Sequence, residues 1–127
     1  MQMRGQLTVE YLFLALLALA LIAISLAALV KIRDAGERAY EMELFKSSAL
    51  DIYNAGEEVC AMGSGNSMEL TIREDVSVSQ DGAQAVFANP SLNASFSRKS
   101  LCAYETADAA RNSEIAVRND GGTIRLG

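Results

Sequence analysis

The order of apolar and polar residues divides the chain into three stretches with different periods. In residues 12–30 every side chain is apolar or small, apart from the hydroxyl of Ser25. At about 1.5 Å per helical residue this stretch spans roughly 28 Å, close to the thickness of a bilayer's hydrocarbon core. A secretory signal peptide has a shorter apolar core of about 7–15 residues, followed by a small-residue cleavage site. The pattern therefore predicts a membrane-spanning helix that the mature protein retains.

In the second stretch, apolar residues recur in steps of three and four. They form an amphipathic stripe made of Ile32, Ala35, Ala39, Met42, Phe45, Ala49, Ile52 and Val59, with Gly56 on the same track. This spacing predicts that the helix continues, so that one long helix covers about residues 7–61. We expect a bend near Gly36 and an end at the glycine-rich sequence of residues 63–66. The stripe is interpreted as ordinary core packing rather than as a cofactor site.

In the third stretch the period changes to two, which is typical of strands. The predicted strands cover residues 68–73, 76–79, 85–87, 92–96, 101–104, 115–118 and 123–126, with the last two forming a hairpin around residues 119–122. Residues 105–113 are polar and rich in alanine, and they are interpreted as a loop or a short helix. The predicted fold class is α+β, with the long helix packed on one antiparallel sheet of about four to six strands.

Composition and charge argue against several functions. Lys and Arg number 11 against 16 Asp and Glu, a formal net charge of −5, which disfavours nucleic acid as a partner. The chain has no histidine, and its serines have no evident base to activate them. The adjacent carboxylates Glu57–Glu58 and Glu74–Asp75 are interpreted as solvated surface. We therefore predict that the protein is not an enzyme and needs no metal or cofactor.

A single carboxylate, Glu10, lies just inside the apolar edge of the first stretch, where membrane helices rarely carry one. The sequence Gly5-Gln6-Leu7-Thr8-Val9-Glu10, preceded by Arg4, resembles the class III signal sequence of archaeal type IV pilin-like proteins. In that family a basic residue and a glycine precede the cleavage site, and a Gln-x-Ser/Thr-x-Glu run opens the mature chain. Thr8 stands where serine is common and retains the hydroxyl. The resemblance covers about the first thirty residues.

The resemblance implies cleavage by a prepilin peptidase between Gly5 and Gln6 and a type IV pilin-like fold. Residues 1–5 would be the leader peptide, 6–31 the transmembrane or filament-core helix, 32–63 its amphipathic continuation and 64–127 a β-rich extracellular head. Gln6, Thr8 and Glu10 would act in assembly, with the Glu10 carboxylate meeting the new N-terminal amine of Gln6 on a neighbouring subunit. Because an unpaired carboxylate is costly to bury, and only the correct register supplies its partner, this pairing would position neighbouring subunits.

The function expected from this resemblance is that of a structural subunit of an archaeal type IV pilus-like filament, used for adhesion or surface attachment. Its partners would be further copies of itself, the prepilin peptidase, an assembly ATPase, a membrane platform protein and the membrane. Ala20, Ala23 and Ala27 lie within about 60° on a helical wheel and would allow helices to approach closely. The alternatives are a minor pilin or pseudopilin of a related assembly or secretion system, and a single-pass anchored surface-binding protein. A membrane-bound enzyme is disfavoured.

Two further features depend on the location of the head. Cys60 and Cys102 are too far apart in sequence for a CxxC motif, and outside the cell they would form one disulfide; two free buried thiols are the alternative. The bond would close a loop of about 43 residues and stabilise the head by roughly 4 kcal/mol. Asn93-Ala94-Ser95 is a candidate N-glycosylation sequon.

The distribution of basic residues opposes an extracellular head. Lys31, Arg33 and Arg38 follow the apolar stretch, whereas Arg4 alone precedes it. The positive-inside rule would then place the head in the cytoplasm. The processing motif and the cysteine pair favour the opposite orientation, with the protein inserted in the membrane before assembly and displayed on the cell surface afterwards.

Overall fold

The computed structural model describes residues 2–127, with side chains described from Gly5 onward. Met1 and the side chain of Arg4, which belong to the predicted leader, lie outside this range. The chain divides into two compact units, one ending at Glu37 and the other comprising Arg38–Gly127. The fold is α+β, with one long helix and eight strands among the described residues.

The helix, α1, spans Gln2–Met62 and includes Gly36. Its first half is rich in alanine and leucine, which are among the strongest helix formers. The helix ends where Gly63 adopts a left-handed conformation with φ of 93°, and the Gly63 amide donates to the Cys60 carbonyl at 3.3 Å. The Asn66 side chain then donates to the carbonyls of Met62 and Gly63, each at 3.0 Å. The predicted end of the helix is thus one residue from the observed end.

Eight strands follow the helix and form two sheets. They are β1 (Ser67–Ile72), β2 (Val76–Asp81), β3 (Gln84–Asn89), β4 (Ala94–Lys99), β5 (Ala103–Tyr104), β6 (Ala107–Ala109), β7 (Ser113–Asp120) and β8 (Thr123–Leu126). One sheet has the order β1-β7-β8-β5 and the other has the order β4-β3-β2-β6. All pairs are antiparallel except β5 with β8.

The structure corrects the sequence prediction in three places. The single sheet of four to six strands was wrong, because the strands divide into two sheets of four. Residues 107–109, expected in a loop or short helix, form β6 and pair with β2. The strand predicted for residues 92–96 begins only at Ala94, because Pro90–Leu92 form a 3-10 turn capped by the Asn89 side chain, which accepts from the Leu92 amide at 3.2 Å. Proline favours such a turn because its φ is restricted and it donates no amide hydrogen bond.

The β7–β8 hairpin is confirmed, with longer strands than predicted. Asp120 pairs with Thr123 across a two-residue turn of Gly121 and Gly122, whose φ angles are 64° and 90°. Two positive φ angles are what a type I′ hairpin turn requires, and glycine adopts them without steric cost. Asn119 links this hairpin to the helix, since its side chain donates to the Val59 carbonyl at 3.1 Å.

The core of the C-terminal unit lies between the helix and the sheets. Its largest buried side chains come from all three, and they are Phe45, Ile52, Val59, Ile72, Val76, Val78, Phe87, Val117 and Ile124. Phe87 is at the centre: its ring is 5.1 Å from the Phe96 ring and 5.9 Å from the Tyr104 ring, centroid to centroid. Such aromatic pairs add to the stabilisation that apolar burial provides.

The predicted apolar stripe is confirmed only in its second part. Phe45, Ala49, Ile52 and Val59 are all buried in the core, whereas Ile32 keeps 68% of its surface exposed. Ala35 and Ala39 are also exposed. The periodicity therefore predicted the face of the helix correctly but not the point at which tertiary packing begins.

Candidate functional site

The candidate site is the apolar surface of the N-terminal unit. Every residue in the range 5–37 is exposed, including the large apolar side chains of the stretch 12–30. Among the described residues, α1 is the one helix long and apolar enough to cross a membrane, judged by length and composition. Soluble proteins rarely expose an apolar patch larger than a few hundred Å². Lipid or other helices could cover a surface of this length.

The Ser25 hydroxyl, within the apolar stretch of residues 12–30, forms its hydrogen bond within the helix itself. Ser25 Oγ donates to the Leu21 carbonyl at 2.8 Å, one turn earlier. A polar group that already has a partner can be buried at little cost, whereas an unpaired one costs several kcal/mol in hydrocarbon. Ser25 therefore does not oppose burial of this surface.

Glu10 is different, because its carboxylate has no partner among the described residues. It is exposed, and no residue in the described part of the chain forms a hydrogen bond or an ion pair with it. Val9, Phe13 and Leu14 surround it and form a shallow apolar depression. Covering this depression with lipid or protein would strip water from the carboxylate, so a cationic or hydrogen-bonding partner would then be needed.

The other predicted assembly residues are exposed on the same unit. Gln6 lies one helical turn before Glu10, so the two side chains share a face. Thr8 is exposed as well. Gly5 lies in the helix, and a Cβ atom added there would have no neighbour within 4 Å. Substitution of Gly5 therefore meets no steric conflict with the described residues.

Ala20, Ala23 and Ala27 are exposed and leave a low stripe on one side of the helix, with Phe13 and Ile24 close to the same face. A second helix can approach the backbone closely at these three positions, because alanine has no side-chain atom beyond Cβ. The surface is therefore suited to helix–helix packing.

The cysteines lie in the C-terminal unit, at the end of the helix and before β5. The sulfur atoms of Cys60 and Cys102 are within bonding distance, with their Cα atoms 6.0 Å apart. This arrangement agrees with the disulfide and not with the alternative of two free thiols. Glu57 contacts the loop that precedes β5 and contains Cys102, since its carboxylate accepts hydrogen bonds from Ser100 Oγ and from the Leu101 amide.

A close contact next to the disulfide was missed by sequence reasoning. A Cβ atom added to Gly56 would lie 2.7 Å from Cζ of Tyr104, so only glycine allows the tyrosine ring to lie against the helix. Tyr104 is almost fully buried, and its hydroxyl donates to the Tyr53 carbonyl at 3.4 Å. Burial, together with the nearby Glu57 carboxylate, raises the pKa of the Tyr104 hydroxyl well above its ordinary value. The sequence contained one indication of this contact, since Gly56 occupies a position on the apolar stripe where a larger side chain would be expected.

The interpretation of Glu74 as a solvated residue was wrong. Glu74 keeps only 5% of its surface exposed, and its Oε2 atom is buried without a hydrogen bond. Arg111 Nη1 lies 3.7 Å from that oxygen, while the Arg111 amide donates to Asp75 Oδ1 at 2.7 Å. The neighbouring Arg73 amide donates to the buried Ser48 hydroxyl at 3.1 Å. These contacts hold the β1–β2 turn against the helix, and they join residues too distant in sequence for a local pattern to reveal.

Asn93 of the sequon is exposed at the end of the 3-10 turn, with φ of 50°. Ser95 is exposed too, so the sequon is accessible on the surface.

No protein-family model, curated protein or solved structure matches this chain.

Proposed function

We propose that this protein is a structural subunit of a type IV pilus-like surface filament. In this proposal, many copies bundle their N-terminal helices into a filament core and display the β-rich heads. One observation carries it: an apolar helix is exposed throughout residues 5–37, and near one end Glu10 has a carboxylate that no described side chain pairs with. The resemblance of residues 5–10 to a class III signal sequence supports the same function.

Bundling would explain the surface of the N-terminal unit. In water, burying apolar area is favourable by about 25 cal/mol per Å², so a helix with apolar side chains on every side is stable only where lipid or other helices cover it. Transfer from lipid to a bundle would be favoured by close packing between the helices. The alanine stripe of Ala20, Ala23 and Ala27 would allow those neighbours to pack closely. Before assembly, the same surface would be covered by lipid.

Glu10 would set the register of the bundle. Cleavage after Gly5 would create a new amine on Gln6, and a neighbouring chain in the correct register would bring that amine to the Glu10 carboxylate. A charge-assisted hydrogen bond of this kind is roughly twice as strong as a neutral one. Registers without the pairing would leave both charges desolvated, so the cost of burial would select the correct one.

The C-terminal unit would form the exposed head. Its disulfide favours an oxidising, extracellular environment, and adhesion or surface attachment would be its role. In this proposal the partners are further copies of the chain, a prepilin peptidase, an assembly ATPase and a membrane platform protein. A minor pilin or pseudopilin would use the same machinery. A single-pass anchored surface protein would need neither the cleavage nor Glu10.

Processing of Gly5→Val tests the proposal. Coexpression with an archaeal prepilin peptidase should give a mature N-terminus at Gln6 for the wild-type chain and uncleaved protein for Gly5→Val, detected by N-terminal sequencing. Because a Cβ atom at Gly5 meets no neighbour in the described part of the chain, a block would reflect the peptidase and not misfolding. Gly36→Val, a matched change at another helical glycine with open space around it, should be cleaved normally. Normal cleavage of Gly5→Val would refute the assignment.

A further inference from the structure

A cleft in the C-terminal unit lies between the helix and β4. It has a volume of about 460 Å³, which is within the range of ligand sites. Met42, Phe45 and Leu50 of the helix form one apolar wall, and Phe96 of β4 lies on the other. An apolar cleft of this size implies a ligand with an apolar group.

The strand beside the cleft has an unpaired edge. Within residues 2–127, β4 pairs only with β3 and is the end strand of its sheet. The Ser100 amide donates to the Ala83 carbonyl, so the alternation of an antiparallel ladder directs the backbone groups of Ser97 and Ser95 away from β3. Tyr53 of the helix donates to the Lys99 carbonyl at 2.8 Å, on this outward side. The open edge therefore runs alongside the cleft, and the helix closes one end of it.

The charge of the cleft is opposite to that of the chain. Two cations, Lys46 and Arg98, line it, and no acidic residue is among the described residues that do so. The chain as a whole has a net charge of −5. Arg98 is oriented by Tyr53, since its guanidinium carbon lies 5.5 Å from the centre of the tyrosine ring. The cleft is therefore complementary to an anionic ligand.

We propose that this cleft binds an extended, acidic segment of another protein, which adds as a strand to the free edge of β4. Backbone hydrogen bonds to Ser95 and Ser97 would hold the segment in place. An apolar side chain would enter the cleft beside Phe96, and a carboxylate would pair with Arg98 and Lys46. Strand addition of this kind takes its affinity from the main chain and its specificity from pockets for alternate side chains.

The spacing of the cleft specifies the sequence of the segment. Phe96 and Arg98 are two residues apart on β4 and therefore face the same side of the sheet. A paired strand would present matching side chains at the same interval. The preferred segment thus carries an apolar residue two positions from Asp or Glu. A fatty acid or another small amphipathic anion would fill the apolar cleft and pair with the two cations, but it would form no backbone hydrogen bonds with the edge of β4.

The test is a fluorescence anisotropy titration of the full chain in detergent micelles with a labelled peptide of sequence TVTVTET. Three comparisons separate the contributions. A TVTVTKT peptide reverses the charge, a backbone N-methylated TVTVTET removes strand pairing, and empty micelles measure partition into detergent. Arg98→Gln and Lys46→Gln remove the two cations, while Arg118→Gln removes an exposed cation from the other sheet as a matched control.

We expect saturable binding of TVTVTET, none of the N-methylated peptide and weaker binding of TVTVTKT. Arg98→Gln and Lys46→Gln should each weaken binding by up to about fivefold, and Arg118→Gln should leave it unchanged. Ser97→Pro should abolish binding while leaving the head folded, because the lost amide points away from β3. Circular dichroism checks the fold of each variant.

Binding that survives N-methylation, or absence of binding by TVTVTET, would overturn the proposal. Displacement of the peptide by decanoate, with decanoate binding insensitive to Ser97→Pro, would instead assign the cleft to a small anion. Failure of this proposal would leave filament assembly untouched, since the cleft and the N-terminal helix are tested by separate variants.

Discussion

The two units of this chain differ in whether their apolar side chains are exposed or buried. Ile32 and Ile52 both lie on the predicted apolar stripe of one helix, yet Ile32 is 68% exposed and Ile52 is fully buried. The difference lies in what surrounds the helix. After Arg38 the chain supplies two sheets that cover the stripe, whereas the stretch of residues 5–37 has no such cover within the described chain.

This contrast separates two sources of stability. The C-terminal unit has its own aromatic core and a disulfide, so it satisfies its apolar surface internally. The N-terminal helix obtains its backbone hydrogen bonds from itself, but no described residue buries its apolar side chains, which lipid or other molecules would cover in the proposed filament. Changes in the N-terminal unit should therefore affect association, whereas changes in the C-terminal unit should affect folding.

Glu10→Ala should produce the largest effect, and on association alone. In the proposed filament it would leave the Gln6 amine of a neighbour buried without its partner, which costs about 3–5 kcal/mol. Filament yield should therefore collapse while processing, membrane insertion and head folding stay intact. Electron microscopy of cells lacking the wild-type copy measures this yield, and normal filament numbers would mean that Glu10 only marks the membrane edge.

Glu10→Gln refines the same prediction. If the N-terminal glutamine has cyclised to pyroglutamate, the partner is a neutral donor and the amide variant should be milder than Glu10→Ala. If the amine is free, the two variants should be nearly equal in severity, because a charged group loses its counterion in both. Mass spectrometry of the mature N-terminus distinguishes the two cases.

Replacing Cys60 and Cys102 with serine should produce the second largest effect, and on folding alone. Loss of the bond should lower the free energy of unfolding of the head by about 4 kcal/mol, since the reduced chain gains conformational freedom when unfolded. Thermal unfolding followed by near-ultraviolet circular dichroism measures the change. Membrane insertion should be unaffected, and Met62→Ala provides a control at an exposed residue beside the bond. An unchanged melting temperature would show that the core alone holds the head together.

The two helical glycines offer a direct test of the contrast between the units. Gly56→Ala should destabilise the head by about 1–3 kcal/mol, because the new methyl group would collide with the Tyr104 ring. Gly36→Ala has open space around it and should leave the melting temperature of the head unchanged, with a gain in helix stability of up to about 1 kcal/mol. Adding Tyr104→Phe to Gly56→Ala should recover part of the loss. Equal effects of the two alanines would contradict the assigned packing.

The smallest effect is expected at alkaline pH. The pKa of Tyr104 is raised in the folded state, by burial first and then by the Glu57 carboxylate. A tyrosine with a raised pKa contributes stability that is fully present below about pH 10 and is lost as the pH rises further, by up to about 1.4 kcal/mol per pH unit. In the Tyr104→Phe variant, this contribution to the decrease of the free energy of unfolding with pH should be absent. An identical pH dependence in both proteins, measured by urea unfolding between pH 9 and 11, would exclude the role of Tyr104.

Local sequence determined the elements whose signals repeat at short range. The apolar residues 12–30, the amphipathic residues that follow and the glycines after Met62 specify a helix and its end, because helix formation depends on neighbours within one turn. The β7–β8 hairpin follows equally from alternating residues joined by two glycines. The unusual position of Glu10 is also visible without any structure.

Tertiary structure alone decided the features that join residues distant in sequence. Residues 107–109 became a strand only because β2 offered them an edge, and Glu74 became buried because the turn that carries it packs against Ser48 and Arg111. The cleft beside β4 depends equally on where the helix passes that strand. Periodicity records which face of an element is apolar, but the neighbour that covers that face depends on contacts across the whole chain. That is why the sequence predicted which face of the helix is buried, and only the fold showed where along that face burial begins.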